Sequence, residues 1–298
     1  MSKLIRKLSL AVIISVGLGV VFTGCGGNND TPSTISDPTS KPAAEKTEDA
    51  NQESSLSGRI NIVGSTSVAP LAQKLADDFT DMETGVRISI QSLGSSAGVQ
   101  AANEGNADIG MSSRELKDEE KEWGMTEHFI AVDGIALVVN PSNSVSELTV
   151  EQVTKIYTGE ITNWKDVGGD DKDIIVVVRE DASGTKAAFD EILDLKDKVI
   201  SDALVADSGG AVRANVSSTN ETIGYLSLGS VNDDVKALSI NGSKPSEDTI
   251  RSGEYPISRR FLFLTKGDIK PELQAYIDYI FTSAGKEIVS KEGYVPVN

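Results

Sequence analysis

The chain has 298 residues, with 45 acidic against 28 basic side chains and a formal net charge of −17. So acidic a surface excludes the nucleic-acid phosphate backbone as an ordinary partner. The single cysteine, Cys25, excludes internal disulfides and cysteine-built metal or redox centres.

Residues 1–24 join a basic start (Lys3, Arg6, Lys7) to an apolar run over 8–22. This is the pattern of a secretory signal, too short and wrongly flanked for a stable membrane span, with a transmembrane anchor as the alternative. Phe22, Thr23, Gly24 and Cys25 together resemble a bacterial lipobox, with Phe where Leu is commoner. The resemblance implies cleavage before Cys25 and lipidation of its thiol; stable anchoring then needs more than one acyl chain. Loss of residues 1–24, which carry three positive and no negative charges, takes the net charge from −17 to −20. Residues 26–57 hold three of the nine prolines and almost no large apolar side chain, so a disordered tether is expected there. The folded part is then 58–298, one large domain or two lobes.

Strand and helix patterns alternate from there. A strand over 59–63 precedes the turn 64–67 and a helix with Val68, Leu71, Leu75 and Phe79 on one face. A strand over 86–91 precedes the turn 92–96 and a short helix over 98–103. A strand over 107–111 precedes Ser112, Ser113 and Arg114 and a charged helix over 115–123. A long apolar strand over 129–139 is interrupted by Asp133 and Gly134. A second unit follows, with a helix over 149–157, a turn-rich connector over 163–169, a buried strand over 174–178 and the polar turn 179–185 leading into a helix from Lys186. Helical residues around 211–216, strands over 223–227, 235–240 and 259–265, and helices over 271–281 and 285–291 close the chain. There is no internal repeat of fixed period. The βαβ alternation predicts an α/β fold with mostly parallel sheets flanked by helices.

Four turns share one design, in which a strand ends in Ser, Thr or Gly and a helix begins: 64–67, 94–96, 112–114 and 179–185. Taken singly, each is ordinary N-cap or turn chemistry. Together, at the carboxyl ends of strands in an open α/β sheet, they make a pocket of N–H and O–H donors suited to an anion. Arg179 adds a fixed charge and a planar fork. It either makes a surface salt bridge with Glu180 or Asp181 or faces a ligand, in which case Asp181 is the expected brace. Arg114 has the same two readings, a helix-surface pair with Glu115 or Glu119 or a ligand contact. No His/Cys/Asp cluster suggests a metal, and no cofactor is expected. Residues 94–98 also fit Gly-x-Ser-x-Gly, the nucleophile elbow of serine hydrolases, with Ser96 as nucleophile, His128 (the only histidine) as base and Asp108 as a third member. A pairing of His128 with Ser96 decides that reading.

The stretch Arg179, Glu180, Asp181, Ala182, Ser183, Gly184, Thr185 matches the Arg-x-Asp-x-Ser-Gly-Thr loop of another class. On it the chain resembles the PstS family, the phosphate-binding proteins of bacterial phosphate ABC transporters. Residues 64–70, 94–98 and 108–114 are similar to that family's other three binding loops. The non-contact stretches 133–136, 159–164, 223–225, 255–259 and 293–297 follow in the family's order, so the resemblance spans 59–297. It implies a two-lobed, periplasmic-binding-protein-like fold of type II, with lobe one at about 59–138 plus 246–298 and lobe two at about 139–245. It implies phosphate contacts from Thr66, Ser67, Ser95, Ser113, Arg179, Ser183, Gly184 and Thr185, with Asp181 bracing Arg179. It further implies a lipid-anchored, monomeric protein outside the membrane that hands phosphate to a permease, without catalysis. Another tetrahedral oxyanion, or a sensor or adhesin role, is the alternative.

One departure stands out. Longer members of the family carry Asp at the position of Ser113, where it accepts the proton of HPO4²⁻. Shorter relatives have the Ser-Ser-Arg version, in which Arg114 reads as an added ligand. Asp133, interrupting an apolar strand near the crossover, is then the candidate acceptor, or else a capped turn with Gly134.

Overall fold

Residues 56–297 are described in the structure, a computed structural model. The leader over 1–24, Cys25 and the tether as far as residue 55 lie outside them. No helix among the described residues is long and apolar enough to cross a membrane.

In chain order the elements are β1 (Gly58–Gly64), α1 (Ala69–Met82), β2 (Val86–Ser92), α2 (Ser95–Glu104), β3 (Ile109–Ser112), α3 (Asp118–Lys121) and β4 (Thr126–Val139). Next come β5 (Glu147–Leu148), α4 (Val150–Tyr157), β6 (Ile175–Arg179), α5 (Gly184–Ile192), β7 (Leu204–Ala206), α6 (Gly209–Ser218) and β8 (Thr222–Ser227). The chain closes with β9 (Lys236–Ala237), β10 (Ser239–Ile240), α7 (Glu247–Ser252), β11 (Ser258–Thr265), α8 (Pro271–Ile280), α9 (Ser283–Lys291) and β12 (Val295–Pro296).

The strands run in the order β2-β1-β3-β11-β4-β8-β6-β7. The outer pairs (β1 with β2 and β3, β6 with β7 and β8) are parallel, as crossover helices require. The middle is antiparallel: β11 pairs with β3 and β4, and β4 pairs with β8. β4 serves both ends. Its residues 126–134 pair with β11, and from Ile135 onward it pairs with β8.

Two large cores flank this shared strand. One joins Ile60, Leu71, Phe79, Ala131, Phe263 and Tyr276. The apolar positions of α1 spaced three and four apart, Leu71, Ala72, Leu75, Ala76 and Phe79, are its helical contribution. The other joins Ile135, Tyr157, Trp164, Phe189, Tyr225 and Ile257. Core membership therefore changes between Ala131 and Ile135 on one passage, between Ile257 and Phe261 on a second and between Tyr294 and Val295 on a third.

Two local expectations change. The helix expected over 115–123 shrinks to the four residues of α3, because Glu120 turns inward to Arg114 while Glu115 pairs with Arg260. The strand expected over 235–240 divides at Leu238. The Leu238 N–H donates to Leu137 O in β4, and the next N–H, Ser239, donates to Ser146 O beside β5.

Candidate ligand site

The turn after β1 is held tight to β3. Gly64 sits at φ +144°, and a Cβ there would lie 2.3 Å from Met111 O. The Ser65 N–H donates to that same carbonyl at 3.0 Å. The Ser65 hydroxyl accepts from the N–H groups of Ser67 (3.2 Å) and Val68 (3.3 Å) and donates to Ser113 Oγ at 2.8 Å. Ser113 in turn donates its N–H to Ser95 Oγ (3.1 Å), and the two hydroxyls lie 3.2 Å apart. Ser95 opens α2, whose N-cap is Gly94 at φ +89° and which has no side-chain cap. Three of the four predicted turns thus meet in one buried hydroxyl chain, Ser65–Ser113–Ser95.

The fourth turn comes from the other half of the sheet. β6 ends at Arg179, which is 1% exposed. Its Nε donates to Glu180 Oε2 and Ala206 O, both at 3.2 Å. Its Nη2 donates to Glu180 Oε1 (2.9 Å), Asp207 O (3.0 Å) and, across the interface, Thr66 Oγ1 (3.0 Å). Nη1 is buried and has no hydrogen-bond partner among the described residues. Ser183 caps α5 by accepting from the Lys186 N–H at 3.2 Å. Thr185 Oγ1 lies 2.7 Å from Ser67 Oγ. Gly184 is pressed against the first half, where a Cβ would lie 2.2 Å from Ser95 Oγ and 2.7 Å from Ser113 Oγ. Ala182 O accepts from the Ser96 N–H at 3.2 Å.

Thr66, Ser67, Ser95, Ser113, Arg179, Ser183, Gly184 and Thr185 are therefore brought together, and three sequence expectations need correction. Asp181 does not brace Arg179: its side chain is fully exposed, 3.7 Å from Lys186 Nζ, and Glu180 forms the fork instead. Arg114 turns away from the cluster. Its Nη1 and Nη2 clasp the Glu120 carboxylate at 2.6 and 2.8 Å, and Nη1 also donates to Glu115 O, so its ion-pair partner is Glu120 and not Glu115 or Glu119. Asp133 is wholly buried, but its oxygens are taken. Oδ2 accepts from Arg259 Nε (3.0 Å) and Nη2 (2.8 Å), and Oδ1 accepts from Ser227 Oγ (2.8 Å) and the Leu228 N–H (3.2 Å). Burial pushes the Asp133 carboxyl up and the Arg259 guanidinium down, and their direct ion pair opposes both. The hydrolase reading fares no better, because His128 Nε2 is bonded to Thr265 Oγ1 at 2.9 Å rather than to Ser96.

Sequence reasoning missed Ser65 and Arg259, and of the two carboxylates it named for Arg179 it preferred Asp181 to Glu180 as the brace. Ser65 could have been found, because a Ser three residues ahead of a helical N–H is cap-spaced. Glu180 and Asp181 look alike in sequence, and the turn geometry alone selects between them. No group of His, Cys, Asp or Glu among the described residues could hold a metal ion. What remains is a buried cation with one nitrogen unpartnered among the described residues, bonded through Nη2 to Thr66 at the edge of a cluster of hydroxyls. Leaving a buried charged donor unmatched is costly, and a tetrahedral oxyanion supplies the missing acceptors.

Known proteins resemble this chain in sequence and in fold. A family model described as a PBP superfamily domain matches residues 44–284. The phosphate-binding protein PstS of Bacillus subtilis (strain 168) is 33% identical over 298 residues, covering 98% of this chain and 94% of the relative. That of Borreliella burgdorferi is 30% identical over 250 residues, covering 80% and 90%. Among solved structures, a Clostridium perfringens protein with bound phosphate, assigned as a phosphate ABC transporter substrate-binding protein, shares 40% identity at a TM-score of 0.80. It covers 81% of this chain and 100% of its own. An ABC-type phosphate transport receptor from Vibrio cholerae shares 35% identity at a TM-score of 0.68, covering 80% and 100%.

Proposed function

The chain belongs to the PBP superfamily and, within it, to the PstS phosphate-binding proteins, and from that premise we propose that it binds inorganic phosphate outside the membrane and delivers it to an ABC permease for import. The observation that carries the reading is Arg179, a buried guanidinium whose Nη1 lacks an acceptor among hydroxyls contributed by both halves of the sheet. Relatives are named as substrate-binding proteins, and the chemistry proposed here is likewise capture and release, with no bond made or broken.

In this reading Ser67, Ser95 and Ser113 seat the anion, while Arg179, Ser183, Gly184 and Thr185 close on it. The two cores are the bodies of two lobes, pivoting where β4 changes partner near Gly134 and where the return strand leaves the second core near Ser258. Contacts from both lobes stabilise the closed form alone, so binding drives closure and marks the loaded protein for the permease. Cys25 is the proposed point of lipid attachment, holding a monomer on the outer face of the membrane. Conversion of Cys25→Ser should move the protein from the membrane fraction to the soluble one.

A second reading, a broader tetrahedral-oxyanion site, is favoured by one observation. Three carboxylates around the cluster are engaged or turned outward: Glu180 by Arg179, Asp133 by Arg259, and Asp181 to solvent. Calorimetry of the full chain with phosphate, sulfate and arsenate separates the two. Tight phosphate binding with weak sulfate binding is expected. Equal sulfate and phosphate affinities would favour the broader site, and absence of binding to any of the three would overturn both readings.

A further inference from the structure

Asp133 and Arg259 stand directly opposite one another on β4 and β11, and both are essentially inaccessible, with side-chain exposures of 0% and 3%. Their position in the topology is unusual. The last rung between the two strands is Gly134 with Ser258, the Ile135 N–H donates to Ile257 O, and Ile135 opens the pairing of β4 with β8. The ion pair therefore ties together two of the passages of chain that connect one core to the other, the third being at Tyr294 and Val295. Its remaining hydrogen bonds reach in both directions. Asp133 accepts from Ser227 and Leu228 at the end of β8, and Arg259 Nη1 donates to Ser113 O at 3.3 Å. Ser113 is also the middle member of the hydroxyl chain at the site.

We propose that the Asp133–Arg259 pair is a hinge pin that positions the Ser113 loop, so that pivoting of the halves and seating of the anion are one event. This deepens the phosphate-binding reading and rests on it. A buried ion pair contributes little net stability compared with apolar residues of the same shape. What it adds is direction. The four hydrogen bonds on Asp133 fix how β4, β11 and the end of β8 meet, and an apolar contact would let them slide. Gly134 beside it packs closely on α7, where a Cβ would lie 2.5 Å from the tip of the Ile250 side chain. With its acceptor positions filled, Asp133 acts through Arg259 and Ser113 and not by touching the ligand.

The test compares the wild-type full chain, the doubly neutralised Asp133→Asn/Arg259→Gln variant and Ser227→Ala. Thermal midpoint, phosphate and sulfate Kd by calorimetry, and the fall in radius of gyration on adding phosphate by small-angle scattering are read for each. Hinge coupling of ordinary size predicts a phosphate Kd raised about tenfold in the double variant, and by a smaller factor in Ser227→Ala. The phosphate-induced compaction should be reduced in both, and the phosphate-to-sulfate ratio unchanged. Folded variants with wild-type Kd and wild-type compaction, whatever their thermal midpoint, would reduce the pair to a structural element and overturn the proposal. A changed anion ratio would overturn it in favour of direct contact by Asp133. If the double variant does not fold, Ser227→Ala decides by the same criteria. A wild type that binds no phosphate would overturn the phosphate reading and the hinge pin together.

Discussion

At the scale of the residue, Arg179 carries the site because of how its donors are divided. Nε and Nη2 are spent on Glu180, two backbone carbonyls and Thr66, which locks the fork, while Nη1 is left over. A lysine would replace the fork with a point charge and lose that division. Removing one member of a desolvated charge pair typically costs about 2–5 kcal/mol. Arg179→Ala should therefore weaken phosphate binding by roughly thirtyfold or more at 25 °C. Calorimetry checks this, with circular dichroism to confirm the fold; tight binding by the variant would remove Arg179 from its role. The neighbouring pair shows how little of this was legible. Glu180 and Asp181 offer the same charge one residue apart, and only the path of the turn sends one to the guanidinium and the other to solvent.

The strand–turn–helix units read well from sequence at the scale of the element, because their signals are local. Ser183 caps α5, Gly94 precedes α2, and the apolar face of α1 recurs at helical spacing. What could not be read was which turns meet, because that depends on strand order. Nothing near Arg259 announces that β11 inserts between β3 and β4 and brings its guanidinium to Asp133, 126 residues away. Arg114 misled for the complementary reason. Its partner Glu120 lies inside the helix expected over 115–123, six residues on, where a regular helix would carry it away from Arg114; the shortening of that helix to four residues lets Glu120 fold back. The N-terminus of α5 supplies a prediction at this scale. Gly184 has no positive φ to protect, so its requirement is space against Ser95 and Ser113 in the closed arrangement. Gly184→Ala should raise the phosphate Kd about tenfold or more, since overpacking typically costs ~1–3 kcal/mol. The unliganded thermal midpoint should change little, because opening relieves the clash. A large fall in that midpoint with unchanged Kd would show instead that the two surfaces do not separate.

At the scale of the whole molecule, stability should respond to mild acid through His128. Burial lowers its pKa, with the charge of Asp278 acting weakly the other way. In the unfolded chain the imidazole takes up a proton near pH 6.5. The folded protein binds it only at lower pH, so stability present above about pH 6.5 is lost as pH falls toward the folded value. His128→Gln retains a hydrogen-bonding partner for Thr265 and removes the titration. Its thermal midpoint should fall less than that of the wild type between about pH 7.5 and 5.5, and equal falls would assign the acid sensitivity to other groups.

The place of β11 has one further consequence, for the order in which the molecule can be made. It is hydrogen-bonded on both sides, and α8 and α9, which follow it, cover the same core as α1. By contrast β6, β7, β8 and all of β4 have been synthesised by residue 227. The sheet bearing Arg179 can thus assemble while the chain is still growing. The sheet bearing Ser65, Ser95 and Ser113 keeps two unpaired edges until residue 265 emerges, and such edges invite mispairing. A ribosome or protease that stops the chain some forty residues early would leave the carboxyl-terminal end missing and the amino-terminal loops unfinished. Quality control of this protein thus bears on β11, a strand made after every other strand of the sheet except β12.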